Sequence, residues 1–181
     1  MQKPAEPVST KADSPLPNEF SLGEVQVAST PLARFEEFLQ SRGKRITQQR
    51  RILVGQVFSH HEHFDADGLL ADLAKTEEGR HVSRPTVYRT LTELVDAGLL
   101  RKMVLANRSV YEHDYGYPQH DHLHCQRCQR LIEFHSEELI KIRDAVAREH
   151  QFRVTGHRLI VSGICNDCRQ VRQKLRRLEL V

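Results

Sequence analysis

Metal-binding side chains are concentrated in the stretch "PQHDHLHCQRC", residues 118–128, which holds three histidines, one aspartate and two cysteines. Imidazole nitrogens, carboxylate oxygens and thiolate sulfurs are the groups with which proteins bind transition metals. The stretch therefore predicts metal binding. The spacing of these residues, and the ligands available elsewhere in the chain, decide how many sites it serves.

The four cysteines form two C-x-x-C pairs, Cys125 with Cys128 and Cys165 with Cys168. A C-x-x-C turn presents two sulfurs to one ion, and Zn²⁺ takes four such ligands in a tetrahedron. A redox dithiol is the alternative, but it needs one C-x-x-C at a helix N-terminus rather than two. In a chain without a secretory signal, this spacing favours zinc over disulfides. We predict one structural zinc site with all four cysteines as ligands.

The histidines alternate along an extended segment. His120 and His122 point to the same face of a strand, so both rings can bind one ion. A mixed set of imidazoles and carboxylates suits Fe(II), Mn(II) or Zn(II), and its metal can exchange with the cell's pool as a sensor requires. The remaining ligands must come from elsewhere, and the candidates are His60, His61, His63, Glu112, His113 and Glu133.

The composition is that of an ordinary globular protein, with 39% hydrophobic and 28% charged residues. A net charge of +3 is too small to indicate nucleic-acid binding by itself. No apolar run is long enough to span a membrane, and the N-terminal residues lack the apolar core of a secretory signal. We therefore expect a cytoplasmic protein with no membrane partner.

The chain from residue 31 onward has the apolar periodicity of helices. Helices are predicted to begin near Pro31, Thr47, Asp65 and Ser83, with Asp65 and Ser83 as N-caps. The third of them is predicted to end at Gly79 and the fourth at Gly98. The segments "LLRKMVL" and "SVYEHD", joined by a turn at "ANRS", predict a two-stranded hairpin. Helices followed by such a hairpin indicate a winged helix-turn-helix. A small helical domain with no role in DNA binding is the alternative.

Two features of this region suit DNA. On the helix after Ser83, Arg89 points away from the apolar stripe and Tyr88 lies at its flank, where both could enter a major groove. The stretch "RGKRITQQRR", residues 42–51, holds five basic residues and no acid, which suits phosphate contacts. An ordinary solvated helix face would have a similar pattern.

The composition shifts to histidine, cysteine and acidic residues after about residue 112. Two strands flank the first C-x-x-C, and "SEELIKIRDAVAREH" predicts an amphipathic helix whose buried face contains Leu139, Ile142 and Val146. A last strand leads into the second C-x-x-C. The predicted class is α+β, divided into a disordered tail (1–30), a winged-helix DNA-binding domain (31–111), a small metal-binding α/β domain (112–170) and a basic C-terminal segment (171–181).

The order of these pieces resembles the ferric uptake regulator family. The motifs that carry the resemblance span residues 31–170 and are "RITQQRRILVGQVF", "HEHFDADGLL", "SRPTVYRTLTELVDAGLL", "YEH", "HDHLHCQRC", "LIEF" and "GICNDC". The resemblance implies a homodimeric, metal-dependent repressor whose second domain is the dimerisation domain. Its partner would be a palindromic operator in double-stranded DNA, and its cofactors structural Zn²⁺ and regulatory Fe²⁺.

The resemblance also implies roles for particular residues. The regulatory metal site would comprise His63, Glu112, His120, His122 and Glu133, with His113 as an alternative to Glu112. The DNA contacts would be Arg45, Arg50, Tyr88 and Arg89. A weak third metal site would use Asp121 and His157, since Gln119 and Ile140 stand where some members have two further ligands.

Three alternatives to iron sensing remain open. Peroxide-sensing members of the family are similar in pattern but typically have aspartate at the positions filled here by Glu112 and Glu133. Zinc-sensing members often use a cysteine in the sensor site, and manganese would suit the same ligands as iron. A metallohydrolase is the alternative outside the family, but the sequence contains no H-E-x-x-H or similar spacing.

Overall fold

The structure, a computed structural model, describes Leu22, residues 25–59 and residues 63–171. The chain divides into two compact units, of which the first ends at Tyr117 and the second begins at Pro118. This division falls six residues after the predicted boundary at residue 111, because the last strand of the first unit continues through His113. His60, His61, most of the predicted tail and all but Val171 of the basic C-terminal segment lie outside the described residues.

Four α-helices form most of the first unit, and each begins at a side chain that accepts a hydrogen bond from a backbone N–H three residues later. The capping residues are Thr30, Thr47, Asp65 and Ser83, and the sequence predicts the last two of them as caps. The helices are α1 (Pro31–Ser41), α2 (Gln48–Val57), α3 (Ala66–Leu73) and α4 (Arg84–Asp96).

Helix α3 is shorter than predicted, because it ends at Leu73 and not at Gly79. The Thr76 hydroxyl bonds the Leu73 carbonyl and accepts from the Gly79 N–H, so side-chain bonds replace the next helical turn. A short 3₁₀ helix, Gly79–His81, follows. A Cβ at Gly79 would collide with the Leu73 carbonyl, so only glycine fits where the chain folds back on the helix end.

Three short strands complete the first unit: β1 (Phe64–Asp65), β2 (Leu100–Leu105) and β3 (Arg108–His113). They form an antiparallel sheet in the order β1-β3-β2. The hairpin between β2 and β3 turns at Ala106 and Asn107, which have φ of 45° and 66°. Two consecutive residues with positive φ match the type I′ geometry that two-residue hairpin turns favour. This hairpin is the predicted wing, whereas β1 was not predicted.

The hydrophobic core of the first unit consists of the apolar stripes of its helices, as periodicity predicts. It also includes Val54 and Leu99, which the sequence did not single out. The largest fully buried side chains are those of Phe35, Leu39, Leu53, Leu73, Leu91, Leu94, Leu99 and Leu100.

The second unit contains a three-stranded mixed sheet and one helix. Strand β4 (Asp121–Cys125) lies between β5 (Leu131–Phe134) and β6 (Ile160–Gly163), antiparallel to the first and parallel to the second. Helix α5 (Glu137–Glu149) begins at Ser136, whose hydroxyl accepts from the Leu139 N–H. Among the described residues, no helix is both long and apolar enough to cross a membrane.

The prediction of a buried apolar face on α5 is wrong for a single chain. Ile142 and Val146 are 62% and 52% exposed, and Ala147 is the one buried residue of the helix. Phe152, just after the helix, is 70% exposed. The periodicity marks a real apolar stripe, but it cannot say whether the partner that covers the stripe belongs to the same chain.

Candidate metal centres

The four cysteines lie together at one end of the sheet in the second unit. Their Sγ atoms are all within 4.8 Å of one another, and those of Cys128 and Cys165 are 3.7 Å apart. Strands β4 and β6 are parallel, with Cys125 opposite Gly163, so the segments that follow both strands start at the same end of the sheet. This pairing brings together two C-x-x-C motifs that are far apart in the sequence.

Hydrogen bonds prepare one thiol of this cluster for deprotonation. Burial acts to raise the pKa of Cys125, but bonds from the backbone N–H groups of Cys128, Cys165 and Arg127 outweigh it and lower the pKa to about 6. Burial and the neighbouring thiols of Cys165 and Cys128 raise the pKa of Cys168 to about 12. Four thiolates repel one another, so a cluster without a cation keeps some protons.

The cysteine cluster has the chemistry that a structural Zn²⁺ ion requires. Sulfur atoms about 2.3 Å from a tetrahedral ion would lie about 3.8 Å from each other. The spread of the four Sγ atoms includes this separation. A divalent cation would also offset the burial and the neighbouring thiols that hold the pKa of Cys168 high, because metal-bound thiols deprotonate.

In the first unit, His63 and Glu112 form a buried pair. His63 Nε2 lies 3.3 Å from Glu112 Oε2, with 8% and 4% of the two side chains exposed. The antiparallel pairing of β1 with β3 places Phe64 opposite Tyr111, so His63, just before Phe64, comes next to Glu112, just after Tyr111. An imidazole and a carboxylate at this distance could serve as two ligands of one ion.

His113, the alternative to Glu112, is engaged with the body of the first unit. Its ring stacks on Phe58 at a centroid distance of 4.7 Å, and its Nε2 lies 2.9 Å from the Val57 carbonyl. Consecutive residues of a strand point to opposite faces, so Glu112 and His113 cannot share one site. Because Glu112 lies beside His63, we favour Glu112 over His113 as the ligand.

In the second unit, His120 lies just before β4, close to His122 on β4 and Glu133 on β5. The two histidine rings are 4.7 Å apart between centroids, and His120 Nε2 is 3.8 Å from Glu133 Oε1. The register places His122 opposite Glu133. His120 Nδ1 donates to the Pro118 carbonyl at 2.8 Å, which leaves Nε2 as the unprotonated nitrogen of the neutral ring.

The five residues of the predicted regulatory site therefore fall into two groups. The first unit contributes an imidazole and a carboxylate, and the second contributes two imidazoles and a carboxylate. Transition-metal sites of nitrogen and oxygen ligands commonly use four to six donors. Neither group reaches that number with these residues alone.

Three of the four predicted DNA contacts are accessible, and one is not. Tyr88 is 43% exposed, and Arg89 and Arg45 are exposed. Arg50 is only 12% exposed, and its guanidinium bonds Glu93 Oε2 at 2.7 Å and the Arg45 carbonyl. The Arg50 side chain balances the charge of Glu93, a buried carboxylate on α4, and its contact with DNA stays a prediction.

Sequence reasoning missed Glu93 and its second partner, Lys44, whose Nζ lies 2.7 Å from Glu93 Oε1. Helical periodicity gave no signal for Glu93, because this residue is turned away from the apolar stripe of α4. Asp121 and His157, the predicted third site, meet in the second unit with Nε2 of His157 3.3 Å from Oδ2 of Asp121.

Comparison with known proteins agrees with this architecture. Residues 41–162 match the model of the ferric uptake regulator family. The ferric uptake regulation protein of Neisseria meningitidis is 33% identical over 72% of this chain and 90% of its own length.

Two solved structures are similar as well. The ferric uptake regulator of Vibrio cholerae shares 28% identity and superposes with a TM-score of 0.60 over 72% of this chain and 98% of its own. A zinc uptake regulator complexed with zinc and DNA shares 26% identity, with a TM-score of 0.51 over 78% of this chain and 95% of its own. The chain belongs to the ferric uptake regulator family of metal-responsive transcription regulators.

Proposed function

We propose that this protein is a homodimeric repressor that binds operator DNA when Fe(II) fills the site of His63, Glu112, His120, His122 and Glu133. The observation that carries the proposal is the division of these ligands between two units of a regulator fold. An ion with ligands in both units would link them, whereas an ion held by one unit would not.

The cysteines have a different role in this proposal. Cys125, Cys128, Cys165 and Cys168 would hold a Zn²⁺ ion that stays in place throughout regulation. The ion would supply positive charge at the end of the sheet where β4 and β6 finish. Bound to all four sulfurs, it would link the two strand ends. Structural zinc sites of this kind are closed to solvent ligands and contribute directly to folding.

The histidine–carboxylate site would act through a difference in affinity. A ligand shifts an equilibrium only by as much as it binds one arrangement better than another. Coupling between two sites is typically about 1 to 3 kcal/mol, or about 5- to 150-fold in affinity. This is the range in which we expect the metal to strengthen DNA binding. A structural rearrangement of the DNA-binding domains has been observed in the Vibrio cholerae relative.

Exposed residues of the first unit would contact the operator. Tyr88 and Arg89 lie in the first half of α4, as recognition residues do in helix-turn-helix proteins. Arg45, in the loop before α2, would contact phosphate. The similar zinc uptake regulator is complexed with DNA. A dimer would read two half-sites, and a repressor of this kind acts in the cytoplasm, where the DNA is.

The apolar face of α5 would form part of the dimer interface. Ile142, Val146 and Phe152 are more than half exposed in the single chain. A second copy that covered them would remove apolar area worth about 25 cal/mol per Å² from water. The apolar face of α5 that the sequence predicts to be buried would then be buried between the two chains.

Iron is the metal we favour. Both carboxylate ligands are glutamates, and all four cysteines of the sequence belong to the sulfur cluster, so none remains for a zinc-sensing site. A peroxide sensor of the same architecture is the second candidate. Family membership favours regulation over the metallohydrolase alternative.

The test is an anaerobic titration of DNA affinity with Fe(II), Mn(II) and Zn(II), starting from protein whose cysteine site is filled with zinc. We expect Fe(II) to strengthen binding by about 5- to 150-fold at metal concentrations available in cells. DNA binding that is independent of all three metals would contradict the proposal. Peroxide treatment followed by mass spectrometry separates the second candidate, since only a peroxide sensor adds oxygen to a site histidine.

A further inference from the structure

Asp121 and His157 meet in the second unit, but a third side chain, Arg143 of α5, completes their contacts. Arg143 Nη1 lies 2.8 Å from His157 Nδ1, and His157 Nε2 lies 3.3 Å from Asp121 Oδ2. Asp121 begins β4, and His157 lies shortly before β6. The three side chains form one hydrogen-bonded chain from the helix to the sheet.

The arginine fixes the state of the histidine. A guanidinium can donate hydrogen bonds but cannot accept them. His157 Nδ1 is therefore the acceptor, and Nε2 carries the proton that it donates to Asp121. A histidine binds metal through an unprotonated ring nitrogen. In this arrangement one nitrogen of His157 is protonated, and the lone pair of the other is used by Arg143.

Asp121 is satisfied as well. Its Oδ1 accepts the Leu159 backbone N–H at 2.9 Å, while its Oδ2 accepts from His157. The carboxylate is 3% exposed, so these two bonds are what compensate for its burial. The Arg143 guanidinium, 27% exposed, reaches the carboxylate only through the His157 ring.

The two remaining positions of the expected third site do not act as ligands either. Gln119 uses its Nε2 to donate to the His157 carbonyl at 3.0 Å, which holds the segment that carries the histidine. Ile140 has no ligand atom and lies one helical turn before Arg143, on the same side of α5. The residues present do not fit a metal ion at this position.

We infer that Arg143 takes the place of a metal ion here: its guanidinium orients the His157 ring toward Asp121 and excludes metal from the pair. Arg143 is thus a positioning residue that ties α5 to β4 without a cofactor. This inference does not depend on the proposed function, because none of its residues belongs to the regulatory ligand set. With metal excluded from this pair, the cysteine site is the one complete set of metal ligands among the described residues of the second unit.

The test counts metal ions in zinc-loaded chains that also carry His122→Ala, so that the proposed regulatory site does not contribute. Each variant is equilibrated with Co²⁺, dialysed, and its metal content measured by mass spectrometry. One variant adds Gln119→His and Ile140→Glu, which supply two ligands, and retains Arg143. The other adds Arg143→Ala to the same two changes.

We expect the variant with Arg143 to retain no Co²⁺, and the variant without it to retain one Co²⁺ per chain and to unfold at a higher temperature when Co²⁺ is present. Retention by the arginine-containing variant would overturn the inference. So would the absence of retention in a folded variant that lacks the arginine.

A second measurement is independent of whether these variants fold. Nitrogen-15 NMR of the unmodified, zinc-loaded protein reports which ring nitrogen of His157 carries the proton. We expect protonation at Nε2 alone, as the donor from Arg143 requires. A proton on Nδ1 would overturn the inference.

Discussion

The two proposed sets of metal ligands in this chain differ in how the fold supplies them. The four cysteines all belong to the second unit, at one end of two paired strands, and their sulfurs lie within 4.8 Å of one another. The histidine–carboxylate set takes two residues from the first unit and three from the second. A set that one unit completes can stabilise that unit. A set that needs both units can report whether they are joined, which is what regulation requires.

The strongest test of this comparison is removal of one cysteine. Cys128→Ser should abolish zinc binding and unfold the second unit, because structural zinc sites contribute about 10 kcal/mol or more and whole domains are stable by about 5–15 kcal/mol. Zinc content after dialysis, together with gel filtration and circular dichroism, measures the effect. Gln126→Ser, an exposed change in the same turn, is the control. A Cys128→Ser chain that keeps both its zinc and its fold would show that the cysteine set is not structural.

A second test separates regulation from stability. His122→Ala should lose the metal-dependent increase in DNA affinity, about 5- to 150-fold, and retain the zinc and the dimer. Fluorescence anisotropy of labelled operator DNA, with and without Fe(II), measures the response.

The matched control for His122→Ala is His124→Ala, which removes a buried histidine from the same strand that has no proposed ligand role. It should leave the metal response intact. If His122→Ala loses the dimer or the zinc, the histidine set is structural and the comparison fails.

The smallest expected effect concerns which of two neighbouring residues on β3, Glu112 or His113, binds the regulatory metal. Glu112→Gln keeps an oxygen ligand but removes its charge, so the metal concentration at half-maximal DNA binding should rise about tenfold, or about 1.4 kcal/mol. His113→Gln removes the stacking on Phe58 and should leave that concentration unchanged. The reverse result would assign the ligand to His113 and place the site on the opposite face of the strand.

Local chemistry explains why most of the fold was predictable. The helix caps at Thr47, Asp65 and Ser83 act on backbone groups three residues away, and a winged hairpin needs only two strands and a turn. Where a local contact was not apparent, the prediction was inaccurate: Thr76 ended α3 early, and the two-residue strand β1 formed by pairing with β3, far along the chain.

The sequence by itself determined which side chains could bind metal and predicted how they are grouped, because C-x-x-C pairs and alternating histidines are local patterns with definite geometry. Tertiary structure decided how individual residues are used. It placed Arg50 against buried Glu93, engaged His113 with Phe58 and put Arg143 beside His157. Each of these partners is distant in sequence, and a periodic pattern holds no information about a charge or ring brought close by folding. The same limit applies to α5, whose apolar stripe was visible in the sequence but whose exposure in a single chain was not.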